Sequence, residues 1–179
     1  MGKFLTSNIR NLNLELLMRK AITVIATLLA VAAGSAHAED PKATIAALDA
    51  RLAKLGEAKV DGTEKAGELT VPAIYYGARK INNNYDVVDE IKKTTGATAT
   101  VFVKNGDDYI RVSTNVLTPE GKRGVGTALA KAKAYEAVNK GEQYCGPVDV
   151  LGTPFDACYN PIKDKGGKVI GVSYIGFKK

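Results

Sequence analysis

The stretch Tyr144-Cys-Gly-Pro-Val-Asp-Val-Leu-Gly-Thr-Pro-Phe-Asp-Ala-Cys-Tyr-Asn-Pro-Ile162 is typical of a β-hairpin and contains the only two cysteines of the chain. A two-residue turn at Leu151-Gly152 places Cys145 directly opposite Cys158. Because side chains alternate along a strand, this register gathers aromatic and apolar residues on the other face: Tyr144, Val148, Phe155 and Tyr159. Cysteine spacing and apolar alternation therefore predict the same register. A four-residue loop, residues 150–153, gives that register too, so the turn type stays open.

The N-terminal part of the chain has the three regions of a signal peptide at residues 18–38. Met18-Arg-Lys20 is basic, residues 21–33 are apolar but too few to span a bilayer, and Ala36-His-Ala38 fits a cleavage site. We expect cleavage after Ala38 and export to the periplasm or out of the cell. Residues 1–17 are then an over-long gene start or an extended basic region. The alternative is a retained N-terminal anchor.

The predicted mature chain, residues 39–179, lacks the side chains that many enzymes use for catalysis. Removing residues 1–38 removes the single histidine, His37, with four of the 25 basic and one of the 19 acidic residues, which leaves a net charge of +3. In an oxidising compartment Cys145 and Cys158 are expected to form a disulfide. Ser-His, Cys-His and zinc chemistry are therefore not predicted. We predict no enzyme activity, no cofactor, no metal and no nucleic-acid partner.

The other segments predict three helices and an antiparallel sheet. Helices are expected at residues 41–58, 85–95 and 128–139, with a polar connector beginning at Asp61. Beside the hairpin, strands are expected at residues 70–77, 97–104, 109–115 and 168–178. This order predicts an α+β fold, with one antiparallel sheet of about five strands, a long N-terminal helix packed behind it and helices segregated to one side.

The turn Asn105-Gly-Asp-Asp108 joins two of these strands. Pairing Val103 with Ile110, and Val101 with Val112, puts four aliphatic residues on one face, which suits packing against a helix. The opposite face is aromatic and polar and should line a wetter space; it carries Phe102, Tyr109, Arg111 and Ser113.

A series of short motifs occurs between Thr70 and Gly176. They are Val88-Asp89, Thr95-Gly-Ala97, Thr100-Val-Phe102, Arg111-Val-Ser-Thr114, Gly121-Lys-Arg123, Gly126-Thr127, Gly141-Glu-Gln-Tyr144, Tyr159-Asn-Pro-Ile162 and Gly167-Lys-Val-Ile-Gly171. In this order and spacing, the segment resembles the single Cache sensor domains of the Cache 3/Cache 2 fusion type, which lie outside the membrane in bacterial chemoreceptors and sensor kinases. The cysteine pair is not a general feature of that type.

The resemblance implies a PAS-like sheet with a small-ligand pocket in front, in a domain at residues 70–179 that follows a helix and connector at 39–69. The ligand-binding residues that it implies are Arg111, Ser113, Arg123, Tyr144 and Tyr159. A guanidinium beside hydroxyls suits a carboxylate, because it donates two parallel hydrogen bonds. Alternatives stay open: Arg111 as a solvated or acid-paired residue, Arg123 as solvated surface, and the two tyrosines as plain core aromatics.

Three function classes remain. The first is an exported sensor domain for a small organic acid or similar anion. Since the chain stops at Lys179 and is not expected to span a membrane after cleavage, its signalling partner is expected to be a separate membrane receptor or histidine kinase, as in chemotaxis. The second is a protein-interaction module that docks on a membrane receptor without a small ligand, which an internally salt-bridged Arg111 with no cavity would favour. The third is an enzyme, against which the composition argues.

Overall fold

The computed structural model describes residues 39–179, so the segments at 1–17 and 18–38, with the predicted cleavage site, lie outside the described residues. The elements along residues 39–179 are α1 (Pro41–Ala53), β1 (Ala58–Ala66), β2 (Leu69–Tyr76), β3 (Arg79–Lys80), α2 (Asp86–Thr95), β4 (Thr98–Asn105), β5 (Asp108–Thr114), α3 (Lys133–Asn139), β6 (Tyr144–Val150), β7 (Thr153–Lys163) and β8 (Val169–Lys178). Along these residues, no helix combines the length and apolar character that crossing a membrane requires.

The main sheet is antiparallel, has five strands in the order β5-β4-β8-β7-β6, and confirms the predicted α+β fold. Strand β8 lies at its centre and is buried on both faces, as its continuous apolar sequence predicts. The N-terminal helix α1 packs behind β7 and β8 through Ile45, Leu48 and Leu52.

The β6–β7 hairpin has the predicted register. Cys145 pairs with Cys158, and the two form a disulfide. Val150 pairs with Thr153, so the turn has only two residues, Leu151 and Gly152, with φ of 52° and 83°. Two successive positive φ angles describe the tight hairpin turn that matches the strand twist. Leucine is unfavourable in this conformation by about 1 kcal/mol or more, which explains why the sequence did not mark the turn clearly.

A bulge changes the register predicted for β4 and β5. Val103 pairs with Ile110, and Phe102 pairs with Arg111, as the sequence indicates. The ladder then shifts by one residue, so Val101 pairs with Ser113 and the predicted pairing of Val101 with Val112 is wrong. Because a bulge gives one strand an extra residue, Ser113 turns to the face that carries Val101 and Val103. There its hydroxyl donates to the backbone oxygen of Asn84 at 2.6 Å.

The polar connector predicted after Asp61 is instead strand β1. It pairs with β2 in a separate three-stranded antiparallel sheet of order β1-β2-β3. Strand β1 is exposed along most of its length, and only Ala66 is buried. An edge strand that is wet on both faces has no apolar alternation, which is why the sequence pattern missed it.

Two helices are shorter than predicted. Helix α1 ends at Ala53 instead of residue 58, since Ala58 already belongs to β1. Helix α3 begins at Lys133 instead of residue 128, because the preceding chain pairs with the edge of β5: the Leu129 N–H donates to the Tyr109 oxygen at 2.8 Å. We call residues 126–129 the edge segment, since it covers the open side of β5.

The helices lie on both faces of the main sheet, contrary to the one-sided arrangement predicted. Helices α1 and α2 share a core with the aliphatic face of β4, including Val101 and Val103. Helix α3 packs through Ala134 and Val138 in a second core, on the face that carries the aromatic side chains Phe102, Tyr109, Tyr159 and Tyr174. The second face is therefore only partly covered, by a helix of seven residues, and a cavity remains beside it.

Candidate functional site

A cavity of about 570 Å³ lies between the edge segment, helix α3 and the β6–β7 hairpin. Its lining is largely aliphatic, with one deeply buried cation and two tyrosines. The lining residues are Arg111, Ala128, Leu129, Ala130, Ala132, Lys133, Ala134, Tyr144, Pro147, Val148, Asp149, Val150, Leu151 and Tyr159. Three of the five ligand-binding residues predicted from the sequence, Arg111, Tyr144 and Tyr159, therefore meet at one cavity.

Arg111 is held on β5 from both sides. Its backbone N–H donates to the Thr127 oxygen, and its backbone oxygen accepts from the Gly126 N–H, each at 2.9 Å. On its other side, Arg111 pairs with Phe102 of β4. The guanidinium carbon of Arg111 lies 4.8 Å from the centre of the Phe102 ring. Backbone pairing and ring contact together fix the guanidinium at the cavity wall.

The Arg111 side chain is buried without a neutralising partner. It is 3% exposed, yet it makes no salt bridge with any carboxylate in residues 39–179. Its hydrogen bonds in this part of the chain run from Nη1, to Thr127 Oγ1 at 2.7 Å and to the Ala128 oxygen at 3.5 Å. The Nε donor is buried with no partner. The edge of the guanidinium formed by Nε and Nη2 is therefore unpaired within the described residues.

Burial lowers the pKa of the Arg111 guanidinium, and the nearby Tyr159 and Tyr174 hydroxyls act in the opposite direction. An arginine keeps its proton at neutral pH even so, because its ordinary pKa lies above about 12. Desolvation makes the charge costly, and the protein supplies only neutral dipoles and an aromatic face to offset it. An anion in the cavity would offset this desolvation cost.

Three tyrosines form a row of mutually tilted rings near Arg111. The ring centres of Tyr159 and Tyr174 are 4.9 Å apart, and those of Tyr144 and Tyr159 are 6.4 Å apart. Burial raises the pKa of Tyr159 above its ordinary value, so its hydroxyl stays a neutral hydrogen-bond donor. The Tyr144 hydroxyl donates to the Pro147 oxygen at 3.3 Å. Tyr159 is thus both part of the aromatic core and part of the cavity wall.

The other two predicted residues lie away from the cavity. Because of the β5 bulge, Ser113 lies on the opposite face of the sheet, the one that carries α1 and α2. Arg123 pairs with Asp89: its Nη1 and Nη2 donate to the two carboxylate oxygens at 2.8 Å each, and Nη1 also donates to the Thr114 oxygen. The hydrogen bonds to Asp89 raise the pKa of Arg123 above its ordinary value. Its guanidinium carbon lies 4.3 Å from the centre of the Tyr85 ring. Arg123 is therefore held by protein partners. It is neither a solvated surface residue nor part of the cavity lining.

Some lining residues were missed by the sequence pattern. The run 128–134 is rich in alanine and has high helix propensity, so nothing in it marks Ala128 and Leu129 as extended chain. The predicted hairpin register, in contrast, already placed Val148 on the same face of the hairpin as Tyr144. Two exposed charged residues, Lys133 and Asp149, also line the cavity. An oxygen of Asp149 accepts from the Gly152 N–H at 2.8 Å, so this carboxylate helps to close the hairpin turn.

Acidic, histidine and cysteine side chains in residues 39–179 form no cluster that could hold a metal ion. Both cysteines are joined in the disulfide. Within the described chain, hydrogen bonding and charge at the cavity therefore come from Arg111, the tyrosines, the surface charges and the backbone.

Comparison with known proteins identifies the family. No curated protein matches the chain at a significant level. Among solved structures, the sensor domain of DcuS from E. coli is similar, with 23% sequence identity and a TM-score of 0.38. That alignment covers 51% of this chain and 63% of the other, so the chain spans less than two thirds of the domain that it matches. The sequence profile of the Cache 3/Cache 2 fusion domain matches residues 7–179, and the chain therefore belongs to the Cache 3/Cache 2 fusion domain family.

Proposed function

We propose that this Cache domain is a binding module for a small organic anion, and that a carboxylate of the ligand pairs with Arg111. One observation carries the proposal: a buried guanidinium without a carboxylate partner in residues 39–179 forms part of the wall of a cavity of about 570 Å³. Cavities of this size are common for small-molecule sites.

The desolvation cost of the buried Arg111 guanidinium supports an anionic ligand. An unpaired buried charge costs several kcal/mol, and a protein keeps one where a ligand or function requires it. A carboxylate that reaches the guanidinium from the cavity would form a charge-assisted hydrogen bond with it. The Tyr159 hydroxyl, whose ring lines the same cavity, is a second donor for the ligand. The proposed ligand is therefore a carboxylate, or an anion of similar shape.

The protein-interaction module without a small ligand is the alternative. It would be favoured by an Arg111 locked in an internal salt bridge with no cavity beside it. Among the described residues Arg111 has no such salt bridge and does line a cavity. An enzyme is disfavoured because residues 39–179 contain no histidine and no free cysteine.

The setting of the module is part of the proposal. Residues 18–38 are proposed to be a signal peptide cleaved after Ala38, which would place residues 39–179 in the periplasm or outside the cell. The disulfide supports an oxidising compartment. The ligand-bound domain is proposed to act on a membrane receptor or histidine kinase, as sensory Cache domains do.

The test is thermal unfolding and calorimetric titration of the purified protein with a panel of carboxylates. A ligand at 100 times its dissociation constant adds about 2.7 kcal/mol to the unfolding free energy, which raises the midpoint by a few degrees. Arg111→Met should abolish the saturable shift. Arg79→Met is the matched control, since Arg79 is an exposed arginine on β3. If no carboxylate binds the folded protein, or if Arg111→Met binds as tightly as the original, the proposal fails.

A further inference from the structure

The walls of the cavity differ in chemistry from one region to the next. The buried cation of the lining is Arg111, on β5. The remaining walls are mainly aliphatic: Ala128, Leu129 and Ala134 on one side, and Val148, Val150 and Leu151 on the other. Leu129 and Val150 are 5% and 3% exposed, so they belong to the apolar core and also border the cavity. The site thus offers one buried charged contact and a larger apolar surface.

The charge of the cavity suits a single carboxylate. Among residues 39–179, the only other cation in its lining is Lys133, an exposed residue at the start of α3. The lining also contains the carboxylate of Asp149. A second carboxylate on the ligand would therefore either enter an aliphatic region with no buried cation or remain among solvated charges of both signs. Removing an ionised group from water without a partner is strongly unfavourable. A dicarboxylate should gain little from its second charge.

The size of the cavity suits a ligand with a body of several carbon atoms. A two-carbon acid paired with Arg111 would leave most of the aliphatic wall in contact with water. Each methylene that moves from water onto such a wall strengthens binding about fourfold. The gain should continue until the cavity of about 570 Å³ is filled.

We infer that the ligand class is a monocarboxylate with an uncharged, apolar body, such as a medium-chain or aromatic acid. Its carboxylate pairs with Arg111, and its body packs against Leu129, Val148 and Val150. This inference rests on the proposed function, because it assumes that the cavity binds a carboxylate through Arg111.

The experiment is a calorimetric titration of the full protein with matched acids. The probes are acetate, butyrate, hexanoate and benzoate, with adipate as the dicarboxylate that has the same number of carbons as hexanoate. The expected result is an affinity that rises about fourfold for each methylene from acetate to hexanoate, with hexanoate at least about tenfold tighter than adipate.

The outcomes separate this inference from the proposed function. If adipate binds as tightly as hexanoate, or acetate as tightly as hexanoate, and Arg111→Met abolishes that binding, the inference is overturned and the proposed function stands. If none of these acids or the wider carboxylate panel binds, both are overturned.

A variant of the wall gives a second readout. Val148 is half-buried on β6 and lines the cavity. Val148→Thr keeps the shape of the side chain but replaces one methyl group by a hydroxyl, so folding should be retained. The variant should reduce the affinity for hexanoate several-fold more than that for acetate. An equal reduction for both acids, or none for either, would contradict the placement of the apolar body.

Discussion

The Arg111 guanidinium lies over the ring of Phe102, its register partner on β4, with 4.8 Å between the guanidinium carbon and the ring centre. The aromatic face attracts the cation through its quadrupole. It provides no hydrogen-bond acceptor, and within residues 39–179 the Nε and Nη2 donors of the guanidinium have no hydrogen-bond partner. Phe102 thus supports the charge of Arg111 without consuming the donors that a ligand would need.

Arg111→Met is expected to separate stability from binding. Replacing an uncompensated buried charge by an apolar side chain of similar length removes a desolvation cost. The unfolding free energy without ligand should therefore stay unchanged or rise by up to about 2 kcal/mol, while carboxylate binding is lost. Urea denaturation of both proteins, with and without ligand, checks this. A loss of more than about 2 kcal/mol in Arg111→Met would instead show that the guanidinium is mainly structural.

The disulfide is expected to stabilise the fold and one wall of the cavity. Strand β6 is an edge strand, and its neighbour in the sheet is β7. The Cys145–Cys158 bond crosslinks these two strands and closes a loop with a sequence separation of 13. Replacing both cysteines by alanine should cost about 3 kcal/mol or somewhat less. Because Tyr144 and Val148 lie on β6, the affinity for the carboxylate should fall as well.

Urea denaturation and titration of the double variant at low temperature, where it remains folded, measure both effects. The oxidised original protein and the same protein treated with a reductant are the controls, and the reduced protein should resemble the variant. An unchanged affinity in a folded variant would show that β7 alone holds the wall in place.

Much of the fold could be predicted because it depends on strong local signals. Cysteine spacing and apolar alternation in the hairpin agree on one register, and the structure has that register. Ile45, Leu48 and Leu52 have the three- and four-residue spacing of an amphipathic helix, and they form the buried face of α1. Strand β1 could not be predicted in this way, because its stability comes from hydrogen bonds with β2 and not from a buried face.

The site could be predicted only in part, since a bulge and a non-local pairing decide it. Ser113 was placed beside Arg111 by strict alternation, which one extra residue in β5 reverses. Residues 128–132 have the composition of a helix, but Ala128 forms a bridge with Ile110 on the open edge of β5. Tertiary hydrogen bonds outweigh helix propensity there. A single sequence contains neither effect as a local pattern.

Asp49 is expected to make stability depend on pH. This half-buried carboxylate on α1 accepts from Ser173 Oγ on β8 and from Asn160 Nδ2 on β7, each at 2.6 Å. Burial raises the pKa of Asp49 above its ordinary value of 3.8, and the two hydrogen bonds only partly oppose this shift. Since the pKa in the folded state exceeds that in the unfolded state, folding favours the protonated form.

The contribution of Asp49 to stability is therefore full below a pH of about 4 and is lost as the pH rises through its raised folded pKa. Asp49→Asn cannot ionise, so it should be at least as stable as the original at neutral pH. That advantage should shrink as the pH falls towards 4. Midpoints of thermal unfolding across this range test the sign, and Asp61→Asn, at an exposed position on β1, is the control. An advantage that grows at acid pH would contradict the assignment.

Arg123→Lys is expected to weaken the fold and to leave carboxylate binding intact. Arg123 uses its planar fork on both oxygens of Asp89 and stacks on Tyr85, and lysine can do neither. Because both partners are partly exposed, the loss should be about 1 kcal/mol. A double-mutant cycle with Asp89→Asn isolates the pair, and the double variant is expected to lose less unfolding free energy than the two single variants together. Arg123 does not line the cavity. A marked loss of ligand affinity in folded Arg123→Lys would therefore mean that this arginine still acts on the binding site.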